Sequence, residues 1–199
     1  MFSLVAVVNA KLRTTVTCGE AADVDSDPNA LVRVLDWAYD KAIDGVPGLE
    51  TAEEMGENYL KGDGSLQDKV DSLIRWQVVK ASTSGFVTGL GGVLTLPVAI
   101  PANLASVMYI QLRMAATIAY MGGHDVQDDR VKALCYACLC GSAAIDVLKD
   151  AGIKTGTALT KQGIKRLPFE VIKRINQAVG RRVIAKGGTT EIVNLSIRC

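Results

Sequence analysis

The sequence predicts an all-α domain, on two observations. No segment alternates apolar and polar residues strictly enough to form a half-buried strand, whereas apolar residues recur at helical spacing along most of the chain. The apolar content of 49% rests on Ala, Val, Leu and Ile, with frequent glycine and only 5% aromatic residues, a mixture suited to close helix packing. The expected architecture is a multi-helix bundle around a central apolar hairpin interrupted by glycine and proline. A chain of 199 residues is long enough to bury a real core within one domain.

Residues 1–27 are expected to form a loose tail, with one helical domain over 28–199. The opening "MFSLVAVVNAKLRTTVTCGE" has a short apolar run without a basic leader, which argues against a secretory signal. The first helix starts at Pro28 behind Asp27 as N-cap; Leu31, Val34, Leu35, Trp37 or Ala38, and Ile43 make its stripe, and Gly45 with Pro47–Gly48 stops it. Thr51 and Glu54 read as a capping box for a short acidic helix that ends at "GDG". Ser65 caps the next, striped by Leu66, Val70, Leu73, Ile74, Trp76 or Gln77, and Val79. After Pro101 a long helix runs from Ala102 to about Met121, closed by "GGH". One further helix is expected through "QDDRVKALCYACLCGSAAIDVLKDAG" to Gly152, then weaker ones around 153–163 and 168–180.

The stretch "ASTSGFVTGLGGVLTLPVAIPANLASVMYIQL", Ala81–Leu112, has no charged residue yet contains four glycines and two prolines. About 20 apolar helical residues span a bilayer. Pro97 and Pro101 divide this run into two arms; the first is rich in Ser, Thr and Gly, and the second carries Arg113. A charge at mid-helix costs about 2.5–3.5 kcal/mol on insertion scales, so neither arm makes an independent span. A buried hairpin suits the same residues better. Ala81, Gly85 and Gly89 then form a helix-packing groove, and "LPVAIP" forms the turn. Leu96, Pro97, Val98, Ile100 and Pro101 make an apolar tip suited to a membrane interface or a partner's groove. Arg113 needs an acceptor, and Asp146 is the acidic residue available in the next apolar helix, so a buried Arg113–Asp146 ion pair is expected.

The formal charge of +1 conceals an asymmetry: residues 1–80 hold 14 acidic and 8 basic side chains, and residues 149–199 hold 3 acidic and 11 basic. Solvated faces that pair with each other account for this, as does a basic surface that meets anionic lipid head groups. Scarce aromatics and the lack of a recognition motif argue against nucleic acid.

Five cysteines, an odd number, read as reduced and intracellular; the three in "CYACLC" (Cys135, Cys138, Cys140) read as buried core thiols, since they lack the fourth ligand of a structural zinc site. "GLGG" lacks the pattern of a phosphate loop. The one histidine, His124, lies in the polar turn "MGGHDVQDD", so any hydrolase centre would run through it. Helix capping already accounts for Asp125, Asp128 and Asp129. No metal, cofactor or catalytic residue is expected.

The combination of "SGFVTGLGG", "LPVAIPA" and "QLRM", followed by "DDRVKALCYACLCGSAAIDVLKDAGI", closely resembles the EcsC family of bacterial proteins over about 35–195. That family is named for a gene beside an ABC-transporter operon tied to secretion, and it offers no catalytic residues to carry over. The ending "VNLSIRC" departs from the family pattern, which continues into a further glycine-rich apolar segment; a truncated C-terminus would account for this. The resemblance and the residues together imply a non-enzymatic accessory protein of the cytoplasm. It would be peripherally attached to an anionic membrane surface, or to a membrane protein such as an ABC transporter. A membrane-surface hydrolase centred on His124 and a soluble interaction module are the alternatives. Oligomeric state is not legible.

Overall fold

The computed structural model describes residues 28–82, 102–140, 144–153 and 161–185. Among these are eight helices and no strand: α1 Pro28–Asp44, α2 Ala52–Leu60, α3 Leu66–Ser82, α4 Ala102–Met121, α5 Asp129–Cys138, α6 Ala144–Asp150, α7 Lys161–Lys165 and α8 Phe169–Ala185. The all-α expectation holds. The 1–27 tail, the hairpin turn and the chain after Ala185 lie outside the described residues.

The helix ends follow local chemistry. Gly45 takes φ +92° and donates its N–H to the Lys41 carbonyl, closing α1 in the left-handed conformation that glycine adopts without a Cβ penalty. The α2 capping box forms as the sequence implies: Thr51 Oγ1 accepts from the Glu54 N–H at 3.1 Å, and Glu54 Oε2 accepts from the Thr51 N–H at 2.9 Å. Ser65 and Asp68 repeat the device at the start of α3. A Schellman arrangement closes α4, with His124 N–H donating to Ala119 O and Gly123 N–H to Tyr120 O. The same pattern at Gly152 closes α6.

One helix expected from the sequence is two. After Cys138 the chain tightens, with Leu139 N–H donating to Tyr136 O and Cys140 N–H to Ala137 O, three residues back; the next described helix is Ala144–Asp150. Leu139 and Cys140 remain buried through this turn. The short turn keeps both apolar side chains in the core, which compensates for the interrupted ladder. At the other end of the chain, α8 continues five residues beyond Gly180, the expected limit; a Cβ there would meet open space.

Packing centres on α4, which serves two apolar clusters. Met108, Tyr109, Leu112, Ala116 and Ala119 face the larger cluster, shared with α1, α5, α6 and α8. Met114, Ile118 and Met121 face the smaller one, with Met55 of α2 and Val70, Leu73 and Ile74 of α3. Burial on both sides requires a helix apolar most of the way round, and α4 is one. The buried stripe of α3 runs through Gln77, not Trp76: Gln77 is 4% exposed and its amide donates to Met55 Sδ at 3.2 Å, whereas Trp76 stands 55% exposed.

Candidate functional site

The apolar tip, Leu96, Pro97, Val98, Ile100 and Pro101, lies outside the described residues, as do Gly85 and Gly89 of the expected packing groove. Ala81 falls on the last turn of α3. A close helix approach does occur among the described residues, at a position the sequence reading passed over. A Cβ on Gly56 of α2 would stand 2.6 Å from Cδ1 of the Tyr120 ring on α4. The ring cannot swing away freely, because its hydroxyl donates to Glu57 Oε1 at 3.2 Å.

Arg113 is buried as expected, at 4% exposure, but it does not reach across to Asp146, which is exposed on α6. Its guanidinium donates from Nη1 to the Glu50 carbonyl at 3.2 Å and lies over the Tyr109 ring, 5.4 Å from the centroid. Tyr109 sits one turn earlier on α4, where the i, i+4 register delivers it. The expected ion pair is therefore corrected. The nearer acceptor was a backbone carbonyl of the loop into α2, which carries no signature in the sequence.

The His124 turn is occupied by structure. The His124 N–H closes α4, Asp125 Oδ1 accepts from the Gln127 N–H at 2.9 Å, and Asp128 caps α5 by accepting from the Arg130 N–H at 2.9 Å. Cys135 and Cys140 are buried, and Cys138 retains some surface. Burial, and then the neighbouring Cys140, pushes the Cys138 thiol from 9.0 up to about 12; burial raises Cys135 as well. Protonated thiols are poor nucleophiles and poor ligands. Among the described residues no group of three or more His, Cys, Asp or Glu could hold a metal ion.

The richest polar constellation ties α1 to α5. Lys132 Nζ lies 3.0 Å from Asp36 Oδ1 and 3.1 Å from Asp40 Oδ1, and within 6.0 Å of the centres of the Tyr39 and Tyr136 rings. Tyr136 donates to Asp36 Oδ1 at 2.7 Å, and Tyr39 donates to the Val126 carbonyl at 2.8 Å. The two rings meet edge to face with centroids 5.9 Å apart. Burial alone would depress the Lys132 ammonium, but its hydrogen bonds to Asp36 and Asp40 outweigh that and raise it. Burial likewise raises both phenols. Lys132 and both phenols are thus held in their resting protonation states, and the cluster clamps α1 to α5. The i, i+4 pair Asp36 and Asp40 was the available sequence signal. Which lysine would meet it, 92 residues later for Asp40, was not legible.

A model of the EcsC protein family matches residues 34–178. The chain belongs to the EcsC protein family. No curated protein and no solved structure matches it. The EcsC match takes in the Lys132 clamp, the Gly56–Tyr120 approach and Arg113 with its partners. It also includes the three most exposed large apolar side chains among the described residues: Trp76 at 55% and Val79 at 51% on α3, and Phe169 at 69% at the start of α8. These exposed positions, each with cations close in sequence, give two candidate functional surfaces, one on α3 and one at the start of α8.

Proposed function

We propose that this EcsC-family protein is a non-enzymatic accessory protein that docks reversibly, from the cytoplasmic side, on an anionic membrane surface. There it would serve a membrane system such as an ABC transporter linked to secretion. The observation that carries the reading is the exposed end of α3. Trp76 and Val79 lie three residues apart on one helix face, with exposed Arg75 beside them, and the chain then enters the uncharged run 81–112. Tryptophan flanked by a cation and apolar residues suits the head-group boundary of a bilayer. None of the described helices is long and apolar enough to cross a membrane, so the attachment proposed is peripheral. The Cys135 and Cys138 thiols, the Tyr39 and Tyr136 phenols and the Lys132 ammonium are held in unreactive protonation states, which favours docking over catalysis.

The test is co-sedimentation with zwitterionic and with phosphatidylserine-containing vesicles at rising salt. The protein should bind the anionic vesicles and lose binding as salt increases. Trp37 packs against the larger cluster while Trp76 is exposed, so a Trp37→Phe variant leaves Trp76 as a single reporter. Its emission should shift to the blue when vesicles are added. No binding to any vesicle would overturn the reading.

A further inference from the structure

The corner between α7 and α8 forms a second exposed surface, remote in sequence from α3. Lys165 and Arg166 are exposed there, Leu167 turns inward, and α8 begins at Phe169. Phe169 is the most exposed large apolar side chain among the described residues, at 69%. Lys173, one turn further on, and Arg174 are exposed as well. Between Lys161 and Arg182 the sequence carries seven cations and one acid, Glu170, whose i, i+4 neighbour is Arg174.

The corner is fixed by its own hydrogen bonds. Arg130 Nε of α5 donates to the Leu167 carbonyl at 3.0 Å, and the Leu167 N–H donates to Ile164 O at 3.0 Å. Ile164 and Leu167 are buried beneath it, and Ile172, Ile175 and Val179 anchor the inner face of α8. Phe169 is therefore held outward by a built scaffold, with cations on both sides of it along the chain.

We infer that this corner is an anionic-lipid docking surface, in which Phe169 enters the head-group boundary while Lys165, Arg166 and Lys173 meet lipid phosphates and carboxylates. The inference rests on the membrane reading above and names the residues that give it charge selectivity. A cationic face with one apolar wedge matches an anionic bilayer surface in both charge and depth. Single-stranded nucleic acid fits less well. Its grooves stack successive bases on several aromatics, and Phe169 is the lone aromatic between Lys161 and Cys199.

The experiment compares the full chain with Lys165→Glu/Lys173→Glu, with Phe169→Ser, and with a control reversal at exposed Lys41 and Lys61 (Lys41→Glu/Lys61→Glu), after melting curves show that all are folded. Partitioning onto phosphatidylserine-containing vesicles should fall by about tenfold or more for the corner reversal. It should fall about fivefold for Phe169→Ser, and little for the control. If the parent protein binds vesicles and both corner variants bind equally well, the inference is overturned while the membrane reading stands. If the parent binds no vesicle, both fall together. A corner reversal that abolishes binding to a single-stranded oligonucleotide while vesicle binding is unchanged also overturns it.

Discussion

Arg113 shows how a single buried cation is accommodated. Its charge is offset by a carbonyl dipole at the entrance to α2 and by the face of Tyr109, so its cost of burial is met without Asp146. Arg113→Met should lower stability by about 1–3 kcal/mol, since it leaves the Glu50 carbonyl without this donor. Asp146→Asn, at an exposed position, should stay within about 0.5 kcal/mol. Urea unfolding of the two single variants and the double variant should give additive losses, the outcome expected when residues do not share an interaction. The cysteines make a pH prediction. Unfolded, the Cys138 thiol ionises near 9.0, but in the folded protein it keeps its proton to about 12. The folded state therefore binds more protons across that interval, and stability must fall as pH rises through it. Cys135, Tyr39 and Tyr136 shift in the same direction and steepen the loss. Melting temperatures measured from pH 8 upward should decline above about pH 9, and Cys138→Ser should make that decline shallower.

At the scale of the element, sequence chemistry writes the helix ends and tertiary contact writes the faces. The Thr51–Glu54 box is complete within four residues, so local reading finds it. Gly56 is different: within α2 it is merely a poor helix former, and its reason lies on another helix. Gly56→Ala would gain helix propensity, yet the added methyl enters the Tyr120 ring at 2.6 Å. The expected result is a net loss of about 1–3 kcal/mol from overpacking. Pairing it with Tyr120→Leu should recover part of that loss, read as a positive coupling in denaturant unfolding. If Gly56→Ala raised the melting temperature, the close approach of α2 and α4 would be refuted. The break after Cys138 belongs here too. Periodicity carried the helix to Gly152, because Leu139 and Cys140 stay apolar and buried within the turn itself.

For the whole molecule, the division of the core into two clusters around α4 should govern how it opens. Among the described residues the smaller cluster has seven buried members, drawn from α2, α3 and α4, while the larger one draws on α1, α4, α5, α6, α7 and α8 and on Ala52 at the start of α2. Counted over the described residues, loss of the smaller cluster exposes less apolar surface and so costs less free energy. Native-state hydrogen exchange should show α2 and α3 amides opening below the global unfolding free energy, with α4 and α5 amides exchanging only through global unfolding. Equal protection throughout would mean that the two clusters unfold as one. The α3 surface proposed to meet lipid belongs to this less stable unit. A segment that releases apolar side chains to a membrane gains from being near the low end of local stability.

The sequence by itself determined the helical class, the capping box at Thr51, the cap at Ser65, the glycine stops at Gly45, Gly123 and Gly152, the family, and the burial of Arg113. All of these follow from interactions within a few residues, or from the cost of an unpaired charge in an apolar helix. Tertiary structure alone decided that Arg113 meets the Glu50 carbonyl, that Lys132 finds Asp36 and Asp40, and that Gly56 makes room for Tyr120. It also decided that the buried stripe of α3 passes through Gln77 and leaves Trp76 outside. These partners are far apart along the chain, and a helix fixes only which residues share a face. What that face meets is set by the packing of other helices, which no local period encodes.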